Sequence, residues 1–124
     1  DITTGGGNIS LSSNKGTVTT ATLDAASAAG KGGAIALTAP AGAVKAGNLN
    51  ARGATGGGNV AVISGDRINT GNIDVSTNKG DGGNVFIDPP GDVEVGFINA
   101  QGGTGGKGGN VDITTERFFR ATSA

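Results

Sequence analysis

The stretch Gly82-Gly83-Asn84-Val85-Phe86-Ile87 is one copy of the motif that decides the fold. The motif reads Gly-Gly-Asn, then Ile or Val, then any residue, then Leu, Val or Ile. Further copies begin at Gly6, Gly57 and Gly108, and a variant with Ala in place of Asn begins at Gly32. The third positions of the copies are 8, 34, 59, 84 and 110, so successive copies lie 25 or 26 residues apart. A period this regular predicts a tandem structural repeat.

Each repeat holds two further apolar positions at matching places. The second apolar positions are Val18, Val44, Ile68 and Val93, and the third are Leu23, Leu49, Ile73 and Ile98. Apolar and polar residues alternate around all three positions, which is typical of short β-strands. We predict first strands near 8–12, 34–38, 59–63, 84–88 and 110–114. Second strands are predicted near 17–20, 43–46, 67–70, 92–95 and 117–121, and third strands near 22–26, 48–52, 72–76 and 97–101.

Three strands in about 25 residues predict one coil of an all-β parallel β-solenoid, because a single coil cannot bury its apolar face alone. The sequence indicates one domain, 1–124, of about five coils. Their approximate bounds are 8–33, 34–58, 59–83, 84–109 and a partial coil at 110–124. Equivalent residues then stack about 4.8 Å apart, and the preference of parallel crossovers favours a right-handed β-helix. An antiparallel β-sandwich is the alternative, but it would not require one period five times.

The composition narrows the chemistry. The chain has 26 Gly and no His, Cys, Trp, Tyr or Met, so we expect no His-based triad, redox thiol or ordinary zinc site. Nine cations and ten anions give no electrostatic reason to bind nucleic acid, and no apolar run is long enough for membrane insertion. We expect glycine to supply the positive φ angles of the corners.

Three columns of equivalent residues are expected, two in the interior and one at a corner. The core columns are Ile9, Ile35, Val60, Val85 and Val111, together with Leu23, Leu49, Ile73 and Ile98. The corner column is an asparagine ladder of Asn8, Asn59, Asn84 and Asn110, whose amides can bond to one another and to corner backbone groups.

Several segments carry a family resemblance. They are Ile2–Ile9, Gly71–Val75, Gly91–Ala100 and Val111–Thr122, the last of which contains Arg-Phe-Phe-Arg-Ala-Thr. The chain resembles the repeat region of large cyanobacterial exoproteins of the filamentous-haemagglutinin type, which are similar to substrates of two-partner secretion, some with a C-terminal CHAT protease-like domain. The resemblance implies a right-handed parallel β-helix, export across the outer membrane and a place at the cell surface or in an extracellular fibre. The Asn-Pro-Asn motifs of the secretion domain and a CHAT region are both absent, so the chain looks like a middle slice of the shaft.

The candidate interaction surface is aromatic. Phe86 and Phe97 each stand next to an inward aliphatic residue and should face outward, where their rings can stack on sugars or be covered by a neighbouring chain. Of Phe118 and Phe119, one should fill the core, and Arg117 and Arg120 would then frame an aromatic patch.

Polar groups at three other places have alternative interpretations. Asp24, Asn50, Asp74 and Asn99 share one outward register, which suits a solvated face better than a calcium stripe. Lys31, Arg52, Lys79 and Lys107 lie on the Gly-rich loops in different registers, which indicates scattered charges rather than a groove for anionic polysaccharide. Asp66, Asp88, Asp92 and Glu94 cluster at another corner, and Asp66 and Asp92 could lie on neighbouring rungs as an acid–base pair.

These observations favour a structural and adhesive shaft module of a secreted or cell-surface protein, extracellular and without enzymatic activity or a cofactor. We expect it to stack end to end with copies of itself or to continue in a larger parent chain, with weak surface contacts to glycans. A carbohydrate-binding surface module is the alternative, and a polysaccharide lyase or hydrolase is the third hypothesis.

Overall fold

A computed structural model describes residues 1–122 and contains fifteen strands and no helix. All strands pair in parallel and form three five-stranded sheets. The first-strand sheet comprises β2 (Ile9–Ser12), β5 (Ile35–Ala39), β8 (Val60–Ser64), β11 (Val85–Asp88) and β14 (Val111–Ile113). The second-strand sheet comprises β3 (Val18–Thr19), β6 (Val44–Lys45), β9 (Ile68–Asn69), β12 (Val93–Val95) and β15 (Phe119–Ala121). The third-strand sheet comprises β1 (Ile2–Thr3), β4 (Leu23–Asp24), β7 (Leu49–Asn50), β10 (Ile73–Asp74) and β13 (Ile98–Asn99).

The strand register stacks equivalent residues of successive coils. Ile9 pairs with Ile35, Ile35 with Val60, Val60 with Val85 and Val85 with Val111, all in one vertical column. The predicted all-β solenoid with three short strands per coil and about five coils is therefore confirmed.

The interior of the tube is lined mainly by aliphatic side chains. The fully buried large side chains are all Leu, Ile or Val, and they come from the three inner faces of the tube. A narrow bore lined by branched aliphatic residues suits stacked coils, because equivalent side chains can pack directly on one another.

At the C-terminal end of the predicted core columns, the side chains are less buried than expected. Val111 is 45% exposed, although it continues the column of Val85, which is 1% exposed. Ile98 is only partly buried, and Phe119 continues the column of Val93 but is 48% exposed. The physical reason is that, within residues 1–122, no strand pairs with the outer edge of β13, β14 or β15.

The motif glycines mainly allow the backbones of successive coils to approach closely. The prediction that glycine supplies the positive φ angles of the corners holds at only a few positions. Within residues 1–122, four glycines have a positive φ: Gly5, Gly6, Gly80 and Gly105. The second glycines of the motif stack in one column: Gly7, Gly33, Gly58, Gly83 and Gly109. A β-carbon on any of the last four would overlap the carbonyl of the glycine one coil below.

The same glycines close each coil. The N–H groups of Gly33, Gly58, Gly83 and Gly109 donate to the carbonyls of Ala25, Ala51, Val75 and Ala100, each at 2.8 Å. Each bond joins the end of one coil to the start of the next, so the Gly-Gly pair links successive turns. Among residues 1–122 there is no helix that is both long and apolar enough to cross a membrane.

Candidate functional site

The asparagine column bonds from coil to coil through backbone donors. Asn8 Oδ1 accepts the N–H of Ala34 at 2.9 Å, Asn59 Oδ1 accepts that of Asn84 at 3.0 Å, and Asn84 Oδ1 accepts that of Asn110 at 2.9 Å. The amides bond to the backbone of the next coil rather than to one another. All four side chains are exposed.

These bonds fix which end of each amide faces out. A backbone N–H can be accepted only by the amide oxygen, so the Oδ1 positions of Asn59 and Asn84 follow from their partners. Within residues 1–122, neither Nδ2 group is bonded to another protein group. The column therefore presents an outward NH2 group at Asn59 and at Asn84, whereas Ala34 provides none in its coil.

A second column runs beside the asparagines, three residues earlier in each coil. The N–H groups of Gly32, Gly57 and Gly82 donate to the carbonyls of Gly56, Asp81 and Lys107 at 3.0, 3.0 and 2.9 Å. This register stacks Lys31, Gly56, Asp81 and Lys107. The three side chains in this column are exposed.

The two columns enclose a groove whose floor is made of the Gly-Gly pairs. Gly57, Gly58 and Gly83 are buried under it and contribute no side chain. The groove measures about 570 Å³ and is lined by Lys31, Asp81 and Lys107 on one side and Asn59, Asn84 and Asn110 on the other. Two cations against one anion give the walls a net charge of +1.

The four loop cations do not form one row, but two of them share this groove, contrary to the expectation of scattered charges. Arg52 lies outside it, and its Nε is 3.7 Å from Oδ2 of Asp74. Lys79 pairs in register with Thr104 and does not line the groove. A count of three residues back from the third motif positions 34, 59, 84 and 110 would have found the Lys31–Lys107 column.

The column of Asp24, Asn50, Asp74 and Asn99 has a local structural role. Each Oδ1 accepts the backbone N–H two residues further on, at 3.0, 3.2, 3.0 and 3.1 Å. These side-chain turns end the third strand of each coil after two residues. The four side chains are half-buried rather than fully outward.

The aromatic candidates do not form one surface. Phe86 is outward and 38% exposed, beside Ala61 and Asp112 in the sheet. Phe97 is half-buried at another corner, where its N–H donates to Asn72 Oδ1 at 3.0 Å. Phe118 is 75% exposed, so neither it nor Phe119 fills the core.

The arginines near the C-terminal coil face the acidic corner. Arg117 Nε lies 3.3 Å from Oδ1 of Asp92, and Arg120 stacks in register on Glu94. The pairing of Val93 with Ile68 places Arg67, not Asp66, beside Asp92. Asp66 and Asp92 are therefore offset by one residue, and the Asp92 carboxylate is held by Arg117 and by the N–H of Phe118.

A second ladder of side-chain to backbone hydrogen bonds was not predicted from the sequence. Asn48 Oδ1 accepts the N–H of Asn72 at 2.9 Å, and Asn72 Oδ1 accepts that of Phe97. Only two of its positions are asparagine, so no repeated residue marked it in the sequence. Over residues 1–122, no group of three or more Asp or Glu is placed to hold a metal ion.

Comparisons of the chain with protein-family models, with curated proteins and with solved structures find no match.

Proposed function

We propose that the chain is a structural and adhesive shaft module of an extracellular or cell-surface protein of the filamentous-haemagglutinin type. The observation that carries the proposal is the single register in which Ile9, Ile35, Val60, Val85 and Val111 stack through five coils. Val111 and Phe119 are 45% and 48% exposed, whereas Val85 and Val93, one coil below, are each 1% exposed. A further rung in the same register would bury both side chains.

Unpaired parallel edges support the same proposal. The outer edges of β14 and β15 carry N–H and carbonyl groups that no strand within residues 1–122 satisfies. Such edges readily add further strands. A rung added at these edges, such as the first coil of a second copy, would extend the stack into a stiff shaft.

Stacking between copies can be tested with a charge at the open end. We expect the purified chain to form filaments with a layer spacing of about 4.8 Å, seen by electron microscopy and fibre diffraction. Val111→Lys should abolish them, because a buried ammonium without a partner is costly. Ile63→Lys is the matched control: Ile63 is 40% exposed on the side wall and should tolerate the charge.

Two outcomes would count against stacking of copies. One is a wild-type chain that remains as discrete particles at its highest soluble concentration. The other is an equal loss of filaments in Val111→Lys and Ile63→Lys, which would indicate lateral rather than axial contacts.

A carbohydrate-binding surface is the second candidate, and the exposed ring of Phe86 favours it. Phe86 is 38% exposed and adjoins the small side chain of Ala61 on the sheet surface, so a sugar ring can stack on it. We expect Phe86→Ala to weaken glycan binding by about tenfold if one stacking contact of about 1.5 kcal/mol is lost. A glycan array and calorimetry measure this, with Phe118→Ala as the control. Unchanged binding in Phe86→Ala would exclude this ring from recognition.

A further inference from the structure

We propose that the glycine-floored groove binds an extended acidic polysaccharide that runs along the solenoid axis. The groove is defined by the column of Lys31, Gly56, Asp81 and Lys107 and by the row of Asn59, Asn84 and Asn110. This binding site goes beyond the shaft role, which does not depend on it.

The shape of the groove selects a linear ligand. Glycine pairs leave its floor without side chains over several coils, so a chain-like molecule can lie against the backbone. Its direction is that of the coil stack, because both walls are columns of equivalent residues. A globular ligand would touch only one or two rungs, whereas a polymer touches every rung.

The asparagine wall supplies repeated hydrogen-bond donors. Because Oδ1 of Asn59 and of Asn84 is occupied by a backbone N–H, the Nδ2 groups are the ends left for a ligand. They recur about every 4.8 Å, which is close to the length of one sugar unit in an extended polysaccharide. Donors in this arrangement match carboxylate, sulfate or hydroxyl oxygens on successive units.

The opposite wall supplies the charge. Lys31 and Lys107 are exposed, and within residues 1–122 neither forms an ion pair with a carboxylate. They lie three coils apart, about 14 Å at the strand spacing, so a ligand must span several sugar units to reach both. Asp81 lies between them and repels an anionic ligand, while its Oδ1 accepts the N–H of Lys107 at 2.9 Å.

The test uses polygalacturonate oligomers and their methyl esters, which share a backbone and differ in charge. We expect the wild-type chain to bind the acidic oligomers, to bind longer oligomers more tightly, and to lose affinity as salt is added. The methyl esters should bind at least tenfold more weakly. Isothermal calorimetry of the full chain gives the affinities.

Three variants change the groove without removing a backbone acceptor. Asn84→Asp keeps an oxygen for the N–H of Asn110 but replaces the outward donor with a negative charge, so affinity should fall about tenfold. Asp81→Asn keeps an oxygen for the N–H of Lys107 and removes the repulsion, so affinity should rise about threefold. Lys31→Gln combined with Lys107→Gln should weaken binding about fivefold and flatten the salt dependence.

Asn48→Asp is the matched control. Asn48 is exposed, and its Oδ1 accepts one backbone N–H from the next coil at 2.9 Å, as Asn84 does, but it lies at another corner. The control should leave affinity within twofold. No binding of polygalacturonate by the wild type, or equal losses in Asn84→Asp and Asn48→Asp, would overturn the proposal. Filament formation by the same variants reports separately on the shaft role.

Discussion

Replacing Gly83 with alanine is expected to lower the free energy of unfolding by about 3 kcal/mol or more. Gly83 is buried, and a β-carbon there would overlap the carbonyl group of Gly58 in the coil below. That carbonyl belongs to backbone, so the overlap can be relieved only if the two coils separate. Separation would weaken the bond from the N–H of Asn84 to Asn59 Oδ1 and the adjoining ladder bond from Val60 to Asn84.

Gly16→Ala is the control for this substitution. A β-carbon at Gly16 would meet only Ser13 Oγ, at 3.9 Å, and Gly16 does not have a positive φ. Its effect should stay within about 0.5 kcal/mol. Urea denaturation followed by circular dichroism measures both variants. Similar midpoints for the two would show that the motif glycines are not required for the close approach of coils.

The first strand of each coil could be located from the sequence because a strict motif marks its start. The predicted strand at 34–38 is observed as Ile35–Ala39, and the one at 84–88 as Val85–Asp88. A Gly-Gly pair followed by alternating apolar residues specifies both the corner and the inward face. The register of the strand is therefore tightly specified, since a shift by one residue would turn Val85 and Ile87 outward.

The second and third strands are shorter than predicted, and local side-chain turns end the third strands. The predicted third strand at 72–76 is only Ile73–Asp74, since Asp74 Oδ1 captures the N–H of Ser76. Apolar and polar residues continue to alternate after Asp74, so the alternation does not show where the strand ends. β1 was not predicted because no copy of the motif precedes it in the sequence. Its Ile2 pairs in register with Leu23 of the third strand β4.

The groove depends on a relation between two columns that residue type does not reveal. Only the Asn column repeats one amino acid, whereas the facing column reads Lys31, Gly56, Asp81 and Lys107. Grouping cations by charge mixed Arg52 and Lys79 with the two lysines that share the groove. The constant separation of three residues from each Asn position was the usable signal, because loop length changes elsewhere in the coil.

Leu49→Ala should cost about 3 to 5 kcal/mol of unfolding free energy. Leu49 has no exposed surface and lies in register between Leu23 and Ile73, so its removal leaves a cavity with aliphatic neighbours above and below. The backbone ladders on both sides hold the coils at their spacing and prevent the cavity from closing. Chemical denaturation measures the loss, and the cooperativity of the transition shows whether adjacent coils unfold with it.

Val111→Ala tests whether truncation of an inward side chain costs less stability at the exposed C-terminal rung than in the interior. Val111, like Leu49, belongs to an inward column, but it is 45% exposed and within residues 1–122 its one stacked neighbour is Val85. The substitution should therefore lower the free energy of unfolding by less than about 1 kcal/mol. This value should hold in dilute solution and rise with protein concentration if copies stack, because a second chain would then bury the same side chain. An effect as large as that of Leu49→Ala in dilute solution would contradict the open rung itself.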